Sequence, residues 1–162
     1  MKEDSQGMLE QEILSQEGAI EMEYTWPAGA SYEKFLLALK EGKIIGSKCK
    51  NCNTVSVPPW LFCERCQSPT EDWPEVPDQG EVRAFTIIRK PMRHQPLEPP
   101  FAIALIRLDG TDTDFVHIIR GEHLSGLNPG VKVKAVWALD KKPDIFAILG
   151  FRPCANTGLE KW

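Results

Sequence analysis

The sequence lacks a positive excess, a long apolar run, and most of the motifs that announce catalysis. Its 162 residues hold 19 Lys and Arg against 23 Asp and Glu, a net charge of −4. The basic surface of a phosphate-tracking nucleic-acid binder is therefore not expected. No apolar stretch reaches the roughly twenty residues needed to cross a bilayer, which argues against a membrane protein. The first residues are acidic and show no apolar leader core. Only three histidines occur, His94, His117 and His123, and none lies beside a nucleophile motif. There is neither a G-x-S-x-G elbow nor a P-loop. Cysteine is also scarce, at five, yet four of the five fall between positions 49 and 66.

What is present follows from those four. They read Cys49-Lys50-Asn51-Cys52 and Cys63-Glu64-Arg65-Cys66, with ten residues between the pairs. A C-x-x-C turn aims two thiolates and several backbone N–H groups at one point, so each pair is half of a four-sulfur cage. Zinc accepts such a cage without strain and without redox chemistry. Four thiolates leave no open position, so the expected metal is structural. Iron in the same cage is the alternative, since ligand softness does not separate the two. Thiolate ligands without a secretory leader imply a reducing, cytoplasmic setting. Cys154 stands apart and reads as a small packing residue.

Hydrophobic residues make up 42% of the chain, enough for a core in one domain or two small ones. Residues 1–25 are rich in Glu and Gln, with Lys2 the only cation. Met8, Leu9, Ile13 and Leu14 give this stretch one short apolar stripe, too short to hold a helix alone. It is expected to be a disordered acidic extension or a strap for a partner. Ser31 is a candidate N-cap. Tyr32, Phe35, Leu36 and Leu39 then recur at i, i+3, i+4 and i+7, which predicts an amphipathic helix over 32–41 stopped by Gly42. Residues 43–48 read as a strand into the first knuckle and 55–57 as its return. Pro58-Pro59 delivers Trp60, Leu61 and Phe62 to the second. Residues 68–77 read as a polar connector, with Trp73 packed at the junction.

From Gly80 the pattern becomes all-β. Strands are expected over 80–90, 101–109, 114–120, 131–139 and 145–152, with a crossing segment over 121–129. Alternation is cleanest where Val131, Val133, Ala135 and Trp137 oppose Lys132 and Lys134. Asp109-Gly110-Thr111-Asp112 and Lys141-Lys142-Pro143-Asp144 read as hairpin turns. No internal repeat is apparent. The fold class is mainly β: an N-terminal helix and zinc ribbon, then a five-stranded OB-fold barrel. The divisions are an acidic extension over 1–30, helix and ribbon over 31–78, barrel over 79–153, and a tail over 154–162.

The order of these elements carries a resemblance. The helix ending Glu41-Gly42-Lys43, the Cys49/Cys52 knuckle, Pro58-Pro59 before Cys63/Cys66, Trp73, Gly80-Glu81-Val82 with Phe85-Thr86, and Leu127-Asn128-Pro129-Gly130-Val131 recur together. Over residues 32–153 the chain resembles the acyl-CoA-associated OB-fold family with an N-terminal rubredoxin-like zinc ribbon, formerly a domain of unknown function. It departs from that family at Asn53 and Gln67, where the knuckles often carry glycine, and at Trp60, where arginine is common. The resemblance implies an accessory subunit without catalytic residues of its own. Such subunits assemble with thiolases, with the hydroxymethylglutaryl-CoA synthase system, or with hydratases and aldolases of fatty-acid, steroid and aromatic degradation. A thiolase heteromer is the first expectation, including an aromatic thiolase such as benzoylsuccinyl-CoA thiolase.

Two further sites are weighed. Arg89, Lys90 and Arg93 form the densest positive cluster, in the loop between the first two barrel strands. That loop is a ligand edge in OB-folds, so these three are candidates for coenzyme A phosphates or an acidic partner, against a plain solvated loop. An independent acyl-CoA-binding module is thus a second reading. A single-stranded nucleic-acid binder is a third, in which Phe85 and Trp137 would stack bases; filling the barrel is the simpler role for both. His117, between Phe115 and Ile119, reads as a packed strand histidine.

Overall fold

The computed structural model of the protein describes residues 22–91, 95 and 97–154. The segment before Met22 and the tail after Cys154 lie outside the described residues. The amphipathic helix is α1, Ala30–Lys40. Its N-cap is Gly29, at φ 81°, with no side-chain cap hydrogen bond. The proposed cap, Ser31, sits instead inside the first turn, because the left-handed glycine already turns the chain into the helix. The apolar face is used internally. Phe35 and Leu39 are fully buried, and Phe35 meets Phe115 of the barrel edge-to-face at 6.1 Å. Tyr32 and Leu37 stay exposed.

Four two-residue strands follow: β1 (Ile44–Ile45), β2 (Ser47–Lys48), β3 (Val55–Ser56) and β4 (Glu75–Val76). The single strand expected over 43–48 is in fact two. Gly46 lies where the chain changes pairing partner from β4 to β3, and it passes so close to the Ser56 carbonyl oxygen that a Cβ there would lie 2.9 Å from it. β2 pairs with β3 as expected, while β1 pairs with β4. Residues 68–77 therefore are not a simple connector: they return a strand to the ribbon. Trp73 is half-buried under the Lys34 ammonium, 4.8 Å from its ring centroid.

The remaining strands are β5 (Gln79–Ile88), β6 (Phe101–Leu108), β7 (Asp114–Arg120), β8 (Lys132–Trp137) and β9 (Ile148–Pro153). They close into a barrel in the order β5-β6-β7-β9-β8, with β7 and β9 parallel and all other pairs antiparallel. This is the OB-fold expected from the strand pattern. The last strand starts later than expected, because residues Ile145–Ala147 form a 3-10 turn that packs on α1. Val131, Val133 and Ala135 face inward as the alternation required. Trp137 is half-buried and donates its indole N–H to Asp78, 3.1 Å away. Lys132 and Lys134 lie outside, beside Glu81, Asp109 and Asp78. Phe85 packs against the core.

His117 is 6% exposed, between the Phe115 and Phe151 rings, each at 5.5 Å. The Ile118 N–H donates to its Nδ1 at 2.9 Å, which leaves Nε2 to face the Ile145 carbonyl at 3.4 Å. Burial holds its pKa below the ordinary 6.5, and the backbone contacts offset this only in part. Over the pH window between that depressed value and 6.5, the unfolded chain binds a proton that the folded chain refuses. Stability is therefore complete above 6.5 and falls as pH drops through the window. Denaturant titrations should show this slope, at most about 1.4 kcal/mol per pH unit, and His117→Phe should remove it.

Candidate metal centre

The ribbon's two turns are copies of one another. In the first, the Cys49 N–H donates to the Thr54 carbonyl at 2.9 Å and the Asn53 N–H to the Cys49 carbonyl at 2.9 Å. In the second, the Cys63 N–H donates to Ser68 at 2.8 Å and the Gln67 N–H to Cys63 at 2.9 Å. Asn53 and Gln67 both take the left-handed conformation, at φ 58° and 60°. Asparagine tolerates it better than glutamine, because its short amide can bond locally. Replacing Gln67 by glycine is expected to raise stability by about 1 kcal/mol, read as a higher denaturant midpoint, with a smaller gain for Asn53→Gly.

These turns bring together the four cysteines singled out from sequence. The Cys49 and Cys66 sulfurs are 3.4 Å apart, Cys52 and Cys63 3.4 Å, and Cys52 and Cys66 3.6 Å. All four lie within 4.8 Å of one another. A tetrahedral zinc with bonds of about 2.3 Å would set sulfurs about 3.8 Å apart, so the donor set fits. Cys49 and Cys63 are buried, and Cys52 and Cys66 half-buried.

Hydroxyls tune the cage. Thr54 Oγ1 lies 3.1 Å from the Cys52 sulfur, and this contact, with the Thr54 backbone, lowers the Cys52 thiol pKa. Ser68 acts likewise on Cys66, first through its hydroxyl and then its backbone, and pulls that thiol down to about 5. Cys49 moves the other way. The Cys52 amide favours its thiolate, yet burial and the shared contacts with the Cys66 and Cys52 sulfurs push it up to about 11. Some protons are thus shed readily and one is held; a bound dication would favour loss of all. Thr54 and Ser68 were not singled out from sequence. The sequence carries the signal: C-x-x-C-x-[ST] occurs twice, fourteen residues apart, a repeat too brief to stand out by itself.

The ribbon is clasped to the barrel. The Val55 N–H donates to the Asp112 carboxylate and the Asp112 N–H to the Val55 carbonyl, both at 2.8 Å. The Val57 N–H donates to the Thr113 hydroxyl at 2.8 Å, and that hydroxyl donates to the Val57 carbonyl at 3.1 Å. The turn read only as a hairpin link therefore also holds the metal site in place. Below it, Thr70 donates its hydroxyl to the Trp60 carbonyl, and the Trp60 N–H donates to the Ser47 hydroxyl at 3.0 Å. These bonds fix a backbone whose side chains point to solvent: Trp60 is 57% and Phe62 58% exposed.

The positive cluster is only partly seen. Arg89 and Lys90 are exposed just past β5; Arg93, like His94, lies outside the described residues. Among the described residues, no helix is long and apolar enough to cross a membrane.

Comparison with known proteins places this geometry. Residues 38–72 match the model of the ChsH2 rubredoxin-like zinc ribbon domain, and residues 73–138 that of the ChsH2 C-terminal OB-fold domain. A DUF35 domain-containing scaffold protein of Methanocaldococcus jannaschii is 30% identical over 67 residues. That match covers 41% of this chain and about half, 48%, of the relative's length. The crystal structure of a DUF35-family protein of unknown function from Sulfolobus solfataricus is similar at 33% identity and TM-score 0.54, over 64% of this chain and 75% of that one. A chain of an Ltp2-ChsH2(DUF35) aldolase is similar at 26% identity and TM-score 0.62, over 79% and 98%.

Proposed function

Because the chain belongs to the DUF35 family, with a ChsH2-type zinc ribbon joined to an OB-fold, we propose that it is the non-catalytic zinc-binding subunit of an acyl-CoA-processing complex. A thiolase-type enzyme is the partner proposed first, and the zinc is structural. Support comes from the aldolase in which a similar chain is paired with Ltp2 and from the relative described as a scaffold protein.

The observation that carries the reading is the run Trp60-Leu61-Phe62. These large apolar side chains stand exposed on a backbone pinned by Thr70 and Ser47. A rigid, solvent-facing aromatic pair braced by a metal cage is what a docking surface needs, since aromatic anchors dominate interface energies. The helix offers little to a partner, because Phe35 and Leu39 are buried within the chain's own core. Docking therefore falls mainly to the ribbon.

Copurification of the untagged chain with a tagged thiolase-family enzyme from the same organism tests this. Trp60→Ala with Phe62→Ala should weaken capture about a hundredfold and leave zinc content and melting temperature unchanged. Equal capture by the double variant would remove the ribbon from the interface; no capture by any acyl-CoA enzyme would remove the function. The second reading, direct acyl-CoA binding, is favoured by the exposed Arg89 and Lys90. Calorimetry of the isolated chain with coenzyme A and an acyl-CoA decides it.

A further inference from the structure

The barrel wall is irregular where its two parallel strands meet. β7 and β9 share a single paired position, Ile119 with Phe151. On the other side of β9 the register with β8 slips: Val136 lies opposite Gly150, but Trp137 lies opposite Ile148. Leu149 is thus the extra residue of a β-bulge, the position that a ladder leaves unpaired. Arg120 takes up its carbonyl, donating from Nε at 3.2 Å. Bulges recur beside binding sites because they re-aim the groups of a strand. Here the bulge anchors a guanidinium.

Beside that contact lies a cavity of about 340 Å³, lined by Arg120, His123, Val136, Leu149, Gly150 and Phe151. Gly150 adds no side chain to it; a Cβ there would lie 3.1 Å from the Ile118 carbonyl oxygen and 3.7 Å from the Arg120 Cγ. The charge is one-sided. Arg120 is half-buried, and its two Nη groups have no protein partner among the described residues. Ile119 and Phe151 are buried, so the residue after each points outward. Those residues are Arg120 and Arg152, which therefore stand side by side. Among the described residues no carboxylate pairs with either. Arg107, Lys132 and Lys134, also on the barrel surface, each have one.

We propose that this hollow binds a phosphate monoester. The Nη groups of Arg120 take the phosphate oxygens, Arg152 adds a second positive charge, and a small apolar group on the ester lies against Val136 and Leu149. A planar guanidinium fork matches two oxygens of a phosphate at once, and pinning its Nε removes much of the entropy that binding would otherwise cost. Arg89 and Lys90 do not line this cavity, so the site holds or falls apart from the coenzyme A reading that rests on them.

The test titrates the zinc-loaded full chain with phenyl phosphate and with inorganic phosphate, at constant ionic strength, and follows arginine Nε–H and methyl resonances beside calorimetry. Phenyl phosphate should shift the Arg120 Nε–H saturably, together with the Val136 and Leu149 methyls. Inorganic phosphate should move Arg120 alone and bind more weakly; equal affinity for the two would assign the site to the free ion. Arg120→Gln should weaken binding about tenfold, the loss expected for charge-assisted hydrogen bonds. Arg120→Lys keeps the charge without the fork and should lose most of that factor. Arg152→Gln should lose less, and Lys132→Gln, which removes a paired charge elsewhere on the barrel, should lose nothing. An Arg120 resonance unmoved by millimolar phenyl phosphate would overturn the proposal. So would Lys132→Gln weakening binding as much as Arg120→Gln, since the effect would then be net charge and not a site.

Discussion

Replacing Cys63 by serine is expected to abolish metal binding and unravel the ribbon while leaving the barrel folded. The four strands of the ribbon are two residues each, and its buried apolar side chains are essentially Ile44, Val57 and Val76. So little core cannot hold hairpins in water. The metal supplies the difference: structural zinc sites bind with about 10–16 kcal/mol in small ribbons, and that binding energy is folding energy. A serine hydroxyl is a poor zinc ligand, and the cage would be left with three buried or half-buried sulfurs. Zinc analysis should fall from one ion per chain to a small fraction. Amide exchange should accelerate by orders of magnitude at Cys49, Asn53, Cys63 and Gln67, whose N–H groups close the two turns. Barrel amides such as Ile106 and Val133 should stay protected. A metal-free variant that kept slow exchange at the turns would show that the ribbon stands without its ion, and the account of the site would fall.

Alanine at Gly80 should do the opposite damage. Gly80 lies opposite Leu108 of β6 and also opposite Val133 of β8, so it sits where the sheet closes on itself. A Cβ there would meet the Arg107 carbonyl oxygen and lie 2.7 Å from the Leu108 Cα. Both are backbone atoms, and no rotamer change relieves the clash. The strands must part, and with them the buried contacts of Val82 and Leu108. The expected loss is about 3 kcal/mol or more, at the upper end for overpacking because backbone must move. The variant should melt at least several degrees lower yet still bind zinc, since no ligand is touched. Gly80→Ala with an unchanged melting temperature would mean that the strand crossing is looser than its geometry indicates.

Much of this architecture was legible because its signals are local. The cysteine spacing marked the metal centre, and the alternation from Val131 to Ala135 marked a half-buried strand. The hairpin turns at Asp109–Asp112 and Lys141–Asp144 join four of the five barrel strands in two pairs. What escaped the sequence was set by contacts between distant residues. Nothing near Gly46 says that a strand must break there; the chain changes partner at that point, from Glu75–Val76 to Val55–Ser56. Residues 68–77 look like a linker because β4 is only two residues long and pairs with β1, some thirty positions back. Composition points to Ser31 as the helix cap, while the positive φ of Gly29 places it two residues earlier. The roles of Asp112 and Thr113 were hidden for the same reason. Their partners, Val55 and Val57, lie more than fifty residues upstream, and a turn sequence does not announce what rests on it.

That last contact has a mechanical consequence. Four hydrogen bonds tie the return strand of the ribbon to the tip of the β6–β7 hairpin, and the same two strands run on to present Ile103, Leu105 and Val116 on the barrel surface. The hairpin tip is thus a shared anchor: a load on the ribbon near Trp60 or Phe62 has a direct hydrogen-bonded route through Asp112 and Thr113 into two barrel strands.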